Sequence, residues 1–393
     1  MEPEALDAHL FLPGPTPVPA DVALAQALPM TDHRAPAFDS LLTVTAGRLA
    51  RLFQTSGATV VLPSSGTGAL EAALVNLFRP GDRVLAVVAG AFGARWADQA
   101  EAMGLAVDRL EVEWGRAVDP EAVKAHLDGH RGVLVTQNET STGVLQDVRA
   151  VAACARDRAP EALVVVDAIS GFPAVPLPMD AWGVDAAVCG SQKAFMLPPG
   201  LSFVALGPRA LETARAPGGR RYYFDLRPYL DGGVPYTPAV SLYYALERAL
   251  DRLEREGEAA RHRRHRTLMR IVRAGARAVG LEPLSPDAEA SPTVTALIPP
   301  DGVSPQAVRA AGAETGARFG GGLGPLAERV LRIGHVGHLD PLDAVAAVAA
   351  AEMALARARG GRADGRGAAA AVAVWQAAEE EARRADARAE AAV

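Results

Sequence analysis

Between residues 58 and 190 the chain repeats one unit: a short run of β-branched or small apolar residues, a turn, and a stretch with helical spacing. ATVVLPSSGTGALEAALVNLFRPGDRVLAVV, which opens the series, reads as strand, Gly/Ser turn, helix, PGD turn and second strand. EAMGLAVDRLEV, DPEAVKAHL, GVLVTQ, VRAVAACARDRAP, ALVVVDA and DAAVCGSQ continue it. Runs such as VVV and VLAVV do not alternate with polar residues, so both of their faces must be covered. Strands joined through helices run parallel, and helices then cover both faces of the sheet. The series therefore predicts an α/β domain with a mostly parallel sheet, over about residues 21–249.

The flanking segments read differently. Residues 1–20 hold LPGPTPVP and predict an extended segment, because proline is excluded from helix interiors. Residues 241–280 are a long amphipathic helical stretch in which acids and bases mix as on a solvated face. SPTVTALIPP, ARFGGG and RVLRIGHVG add short strands, so 250–356 predicts a smaller α+β domain. Residues 357–393 contain 15 alanines and no Leu, Ile or Phe. With so little apolar surface to bury, they predict a disordered segment or a frayed helix whose loss costs little.

Charge and composition narrow the function classes. A net charge of −6 argues against electrostatic binding to nucleic acid or anionic membrane. No apolar run reaches the length of a membrane span, and MEPEALDAHLFLPGP does not read as a secretory signal. The two cysteines, Cys154 and Cys189, have neither metal-ligand nor redox spacing, and the expected setting is the cytoplasm. His335 and His338 lack a third ligand, so no metal is expected.

Of 40 basic residues only two are lysines, Lys124 and Lys193, in a chain otherwise rich in arginine. A retained lysine suits a task arginine cannot perform, such as nucleophilic attack by an uncharged amine. Lys124 sits in DPEAVKAHLDGH and reads as a solvated helix residue. Lys193 follows the strand DAAVCG in GSQKAFMLPPG, where open α/β sheets bind ligands; a lysine snorkelling from a strand end would look the same. Asp167 ends VVVD, and a carboxylate there needs compensation, by a cationic ring nitrogen or by service as a turn residue. Ser65, Gly66 and Thr67 precede ALEAALVNLF and could cradle an anion at a helix start, although they match neither a P-loop nor GxGxxG. Phe92 lies in a Gly-flanked turn and could stack on a flat group or fill core. Arg332, inside VLRIGHVG, needs an anion, a substrate carboxylate or an internal partner.

The order of LPGPTPVP, SSGTGALEAALVN, AGAFGARWADQAE, NETSTGVLQD, VVVDAISG, GSQKAFMLPPG, YTPAVSLYYAL and GGLGP…VLRIGHVG resembles the class V aminotransferases of pyridoxal phosphate (PLP) fold type I. The nearest branch is the alanine–glyoxylate and serine–glyoxylate (serine–pyruvate) group, and the resemblance covers about residues 10–350. It implies a large domain around a seven-stranded, mostly parallel sheet, a smaller C-terminal domain and a homodimer with shared active sites. It further implies that Lys193 forms the Schiff base with PLP and that Asp167 pairs with the pyridine nitrogen. Ser65, Gly66, Thr67 and Gln192 lie at the phosphate, Phe92 and Ile169 pack on the two ring faces, and Thr140 sits near the ring hydroxyl. Tyr236 and Thr237 reach the neighbouring subunit's phosphate, and Arg332 holds the substrate carboxylate. Thr140 stands where relatives usually carry Ser, and the YTP segment is one residue shorter than in some of them.

The implied reaction moves an amino group from alanine or serine to glyoxylate or pyruvate. A 2-aminoethylphosphonate or ureidoglycine transaminase shares much of the motif set. A cysteine desulfurase would need a reactive cysteine on a loop, and neither Cys154 nor Cys189 is so placed.

Overall fold

The computed structural model describes residues 8–219 and 221–390, so residues 1–7 of the expected N-terminal segment lie outside it. The first strand, β1 (His9–Phe11), has its partner more than 300 residues later. The expected parallel sheet follows with β2 (Ala58–Leu62), β3 (Arg83–Val88), β4 (Ala106–Glu111) and β5 (Gly132–Thr136). A short hairpin, β6 (Asn138–Glu139) and β7 (Val144–Leu145), interrupts it before β8 (Leu163–Asp167), β9 (Ala186–Gly190) and β10 (Ser202–Leu206). These strands, without the hairpin, form one seven-stranded sheet in the order β2-β10-β9-β8-β5-β3-β4, with β10 alone antiparallel to its neighbours.

Residue alternation explains why the strands carry no polar face. Val133, Val135, Val164 and Val166 pack into one layer with the helices Pro36–Phe53 and Val240–Glu256. Leu134 and Val165 point the other way, against the helices Gly66–Leu77 and Ala91–Ala102. Successive strand side chains face opposite sides, so two-sided cover demands a continuous apolar run. Fully burying each such side chain stabilises the fold by about 1.5–3 kcal/mol.

A second sheet has the order β1-β13-β14-β12-β11, from β11 (Glu282–Pro283), β12 (Val294–Ile298), β13 (Ala317–Gly321) and β14 (Leu331–Gly334). β1 joins it parallel to β13, with Phe11 opposite Phe319 and their rings 6.1 Å apart. The extended N-terminal segment is thus a strand of the C-terminal sheet.

The last residues differ from the sequence expectation. Arg366–Glu390 is one helix packed on the helices Glu258–Ala278 and Pro341–Ala358. Ala371 is fully buried, and Val374 and Trp375 pack against the same core. Glu352 accepts hydrogen bonds from the N–H groups of Gly365 (2.8 Å), Gly367 (3.1 Å) and Ala368 (3.3 Å), and Arg270 pairs with Glu381 at 2.8 Å. Small side chains let helices approach closely: a Cβ on Gly275 would lie 2.9 Å from Gly367 O. The contact rests on a few small residues, Gly367 and Ala371, while other alanines of the helix, such as Ala369, Ala373 and Ala377, stay exposed, and Trp375 supplies the anchor that Leu, Ile or Phe would have advertised.

Candidate active site

The C-terminal ends of β5, β8 and β9 open onto one cleft, the position where open α/β sheets take ligands. β5 delivers Thr136, β8 delivers Asp167, and the turn after β9 delivers Gln192 and Lys193. The start of the helix Gly66–Leu77 adds Ser65, Gly66 and Thr67, and the start of Ala91–Ala102 adds Phe92 and Arg95. Asn138, Thr140, Ile169 and Ser170 complete the walls. Nine of the residues singled out above thus meet at one place. Tyr236 and Thr237 do not: the Tyr236 hydroxyl donates to Tyr222 O at 3.0 Å, its ring stacks on Tyr223, and Thr237 is exposed.

Lys193 donates from Nζ to Pro13 O at 2.8 Å. Gly14, next in the chain, has φ +141°, and a Cβ on it would stand 2.5 Å from that nitrogen, so only glycine fits beside the amine. Burial lowers the Lys193 pKa to about 8, and the charge of Arg332 pushes the same way. The other lysine is the opposite case. Lys124 lies on an open surface 2.6 Å from Asp157, which raises its pKa.

Asp167 accepts one hydrogen bond, from the Ile169 N–H at 2.9 Å. It is 4% exposed, and burial pushes its pKa up to about 7, with nearby Glu139 adding to the rise. The Ile169 bond is the turn contact that its sequence position also allowed, and Lys193 and Arg95 pull the pKa the other way without offsetting the burial. Arg332, in contrast, has partners within the chain: Nε donates to Gly321 O at 2.7 Å and Nη1 to Thr140 O at 3.0 Å. Two backbone carbonyls aim the guanidinium without neutralising it, and burial lowers its pKa to about 10.

Sequence reasoning missed several groups. Glu139 is fully buried, and its oxygens accept from the N–H groups of Phe92, Gly93 and Ser141 and from the Ser141 hydroxyl. Burial pushes its pKa up, while those bonds pull the other way. Arg95 lies over the Phe92 ring, 5.0 Å from its centre. The available signal was local: Glu139 follows the strand GVLVT closely, as Asp167 ends VVVD.

Several cleft groups lack partners among the described residues. Among the described residues no side chain caps the helix Gly66–Leu77, so the N–H groups of its first turn, at the positive end of the helix dipole, are open to an anion. Thr136 Oγ1, Asn138 Oδ1 and Gln192 Oε1 are buried without a hydrogen-bond partner. A Cβ on Gly66 would lie 2.6 Å from Ile169 Cδ1, so a side chain there would press on the cleft wall. PLP fits this inventory: a phosphate for the helix start, a ring nitrogen for Asp167, an aldehyde for the Lys193 amine, and polar substituents for the unpartnered oxygens. Among the described residues no group of three His, Cys, Asp or Glu is arranged to hold a metal. Cys189 is buried in β9 and donates to Phe172 O, and Cys154 lies within the helix Val148–Arg158.

Known proteins share this fold and much of this sequence. The chain is 38% identical over 362 residues to an L-aspartate–glyoxylate aminotransferase from Paracoccus denitrificans, covering 88% of this chain and 91% of that one. It is 37% identical over 361 residues to a serine–glyoxylate aminotransferase from Hyphomicrobium methylovorum, covering 88% and 89%. The crystal structure of an alanine–glyoxylate aminotransferase from Nostoc sp. superposes with a TM-score of 0.84 at 31% identity, covering 90% of this chain and 95% of that one. The family model described as aminotransferase class-V matches residues 24–322. Sequence and fold agree, and the chain belongs to the class V aminotransferase family.

Proposed function

We propose that this protein is a PLP-dependent aminotransferase that moves the amino group of a small 2-amino acid, alanine or serine, to a small 2-oxo acid, glyoxylate first and pyruvate second. One observation carries the reading: Lys193, Asp167 and the uncapped start of the helix Gly66–Leu77 converge on a single cleft. The relatives' names support the acceptor, since the aspartate, serine and alanine enzymes all share glyoxylate.

The residues divide the work by their chemistry. Ser65, Gly66 and Thr67 would hold the phosphate through the helix start, with Gln192 beside them. Phe92 and Ile169 supply apolar walls for the ring, and Thr140 stands by its hydroxyl. Asp167 would keep the ring nitrogen protonated, which in turn draws its own pKa down from about 7. Bound PLP supplies an electron sink for the charge left when the substrate loses its Cα proton. Lys193 Nζ, with a pKa near 8, is the base that takes that proton and carries it across. Arg332 orients the substrate by its carboxylate through a bidentate pair.

The same reading makes the protein a cytoplasmic homodimer, divided into a large domain at about 21–249 and a small one at 250–356. Tyr236 and Thr237 would serve the neighbouring subunit's phosphate. The exposed side chains Leu24, Leu28 and Met30, within one short segment, support a covered face there. No helix among the described residues is long and apolar enough to cross a membrane. The test is a half-reaction screen in which purified enzyme meets alanine, serine, aspartate, 2-aminoethylphosphonate or ureidoglycine, followed by the absorbance of bound PLP. Rapid loss with alanine or serine is expected. Loss with 2-aminoethylphosphonate or ureidoglycine alone would overturn the assignment.

A further inference from the structure

The hairpin between β6 and β7 joins two parts of the cleft that the chain delivers from distant places. On one side it meets the start of the helix Ala91–Ala102. Glu139 accepts from the N–H groups of Phe92 (3.1 Å) and Gly93 (3.0 Å), and Ser141 Oγ accepts from Ala91 N–H at 2.9 Å while donating to Glu139 at 2.5 Å. The first three N–H groups of that helix therefore end on the hairpin. The fit is tight, because a Cβ on Gly90 would lie 2.5 Å from both Glu139 Cγ and Ser141 Oγ. On the other side the hairpin meets the C-terminal sheet. Thr140 O accepts from Arg332 at 3.0 Å, Asn138 Nδ2 donates to Thr293 Oγ1 at 3.0 Å, and Gly143 O accepts from Ser285 Oγ and Ser291 N–H.

A local Ser or Thr would satisfy such a helix start without burying a full carboxylate. It would not, however, fix where Phe92 stands relative to Thr140. A cap supplied from more than 40 residues away does both. We propose that Glu139 is a positioning residue that holds the Phe92 wall of the cleft at a set distance from Thr140 and the Arg332 anchor. This rests on the roles given above to Phe92 and Arg332.

The experiment compares Glu139→Ala, Glu139→Gln and Ser141→Ala with Glu352→Ala, a buried carboxylate that caps a helix start remote from the cleft. Four quantities are read: the Kd of the cofactor-free protein for PLP, KM for alanine and glyoxylate, kcat, and Tm. Glu139→Ala should raise both the PLP Kd and the two KM values about tenfold, the loss expected for charge-assisted hydrogen bonds. Glu139→Gln keeps a carbonyl acceptor and should fall between it and wild type, with Ser141→Ala shifted least. Glu352→Ala should lower Tm alone. If Glu139→Ala fails to fold, the two milder variants carry the same ordering. The proposal is overturned if the Glu139 variants behave like Glu352→Ala, or if the Kd moves while KM does not. Should Arg332→Ala leave KM unchanged, the fault lies with the anchor assignment, and the PLP Kd decides the role of Glu139 by itself.

Discussion

Asp167 and Glu352 are both buried carboxylates, and the chain treats them in opposite ways. Glu352 receives three backbone N–H groups at the start of the C-terminal helix. Asp167 receives one and is left with a pKa near 7, while the helix start close by, at Ser65–Thr67, has no cap. Where the partners are all supplied from within, the carboxylate is an internal fastening. Where they are missing on both sides of one cleft, the missing partners belong to a ligand.

The sharpest way to break this contrast is at the amine. Lys193→Ala should cost roughly 10³–10⁴-fold in turnover with the fold intact, since it removes the proton carrier. Borohydride reduction of the wild type followed by peptide mapping should place the pyridoxyl group on Lys193. Label on Lys124 would end the assignment.

Asp167→Asn should bind PLP yet lose about 100-fold or more of its turnover, because a neutral amide no longer holds the ring proton. The same variant tests the pKa. A carboxyl raised from about 4 to about 7 on folding keeps its proton where the unfolded chain has lost it. Its contribution therefore turns unfavourable as pH rises from about 4 to about 7, by up to about 4 kcal/mol. Denaturant titrations of the cofactor-free proteins should show wild type losing stability relative to Asp167→Asn across that window. Parallel curves would mean that Asp167 is already compensated.

Arg332→Ala should lower kcat/KM for alanine by about tenfold to a few hundredfold, the worth of a bidentate charge-assisted pair. Arg332→Lys should fail similarly, because an ammonium cannot make the fork. An equal loss with an amine lacking a carboxylate would show that Arg332 only braces Thr140 and Gly321.

The smallest effect belongs to the internal fastening. Glu352→Ala should cost about 1–3 kcal/mol in a denaturant titration and leave turnover unchanged. A fall in turnover without loss of stability would erase the distinction between the two carboxylates.

Much of this was readable in the residues. The VVV and VLAVV runs gave the sheet because two-sided burial leaves a one-dimensional trace. Lys193 stood out because lysine had nearly vanished elsewhere, and Asp167 because its place at a strand end made it costly. What stayed hidden depends on distance along the chain. Nothing near Glu139 says that its partners are the N–H groups of Phe92 and Gly93, and nothing in VLRIG says that Arg332 is aimed by two carbonyls. The C-terminal helix was hidden for another reason: alanine and glycine declare close packing only when the opposing helix is known.

The pairing of β1 with β13 carries a consequence for how the protein is made. His9 lies beside Ala317 in the sheet, and Pro13, just beyond, is the residue whose carbonyl meets Lys193. A ribosome adds about 5–20 residues per second, so the first segment to emerge waits roughly 15–60 s for its strand partner to be synthesised. During that interval β9, which leads to Lys193, can already pair with β8, while β1 still lacks the strand it pairs with. The sheet whose first strand leads into the turn over Lys193 is thus closed late, by the oldest part of the nascent chain.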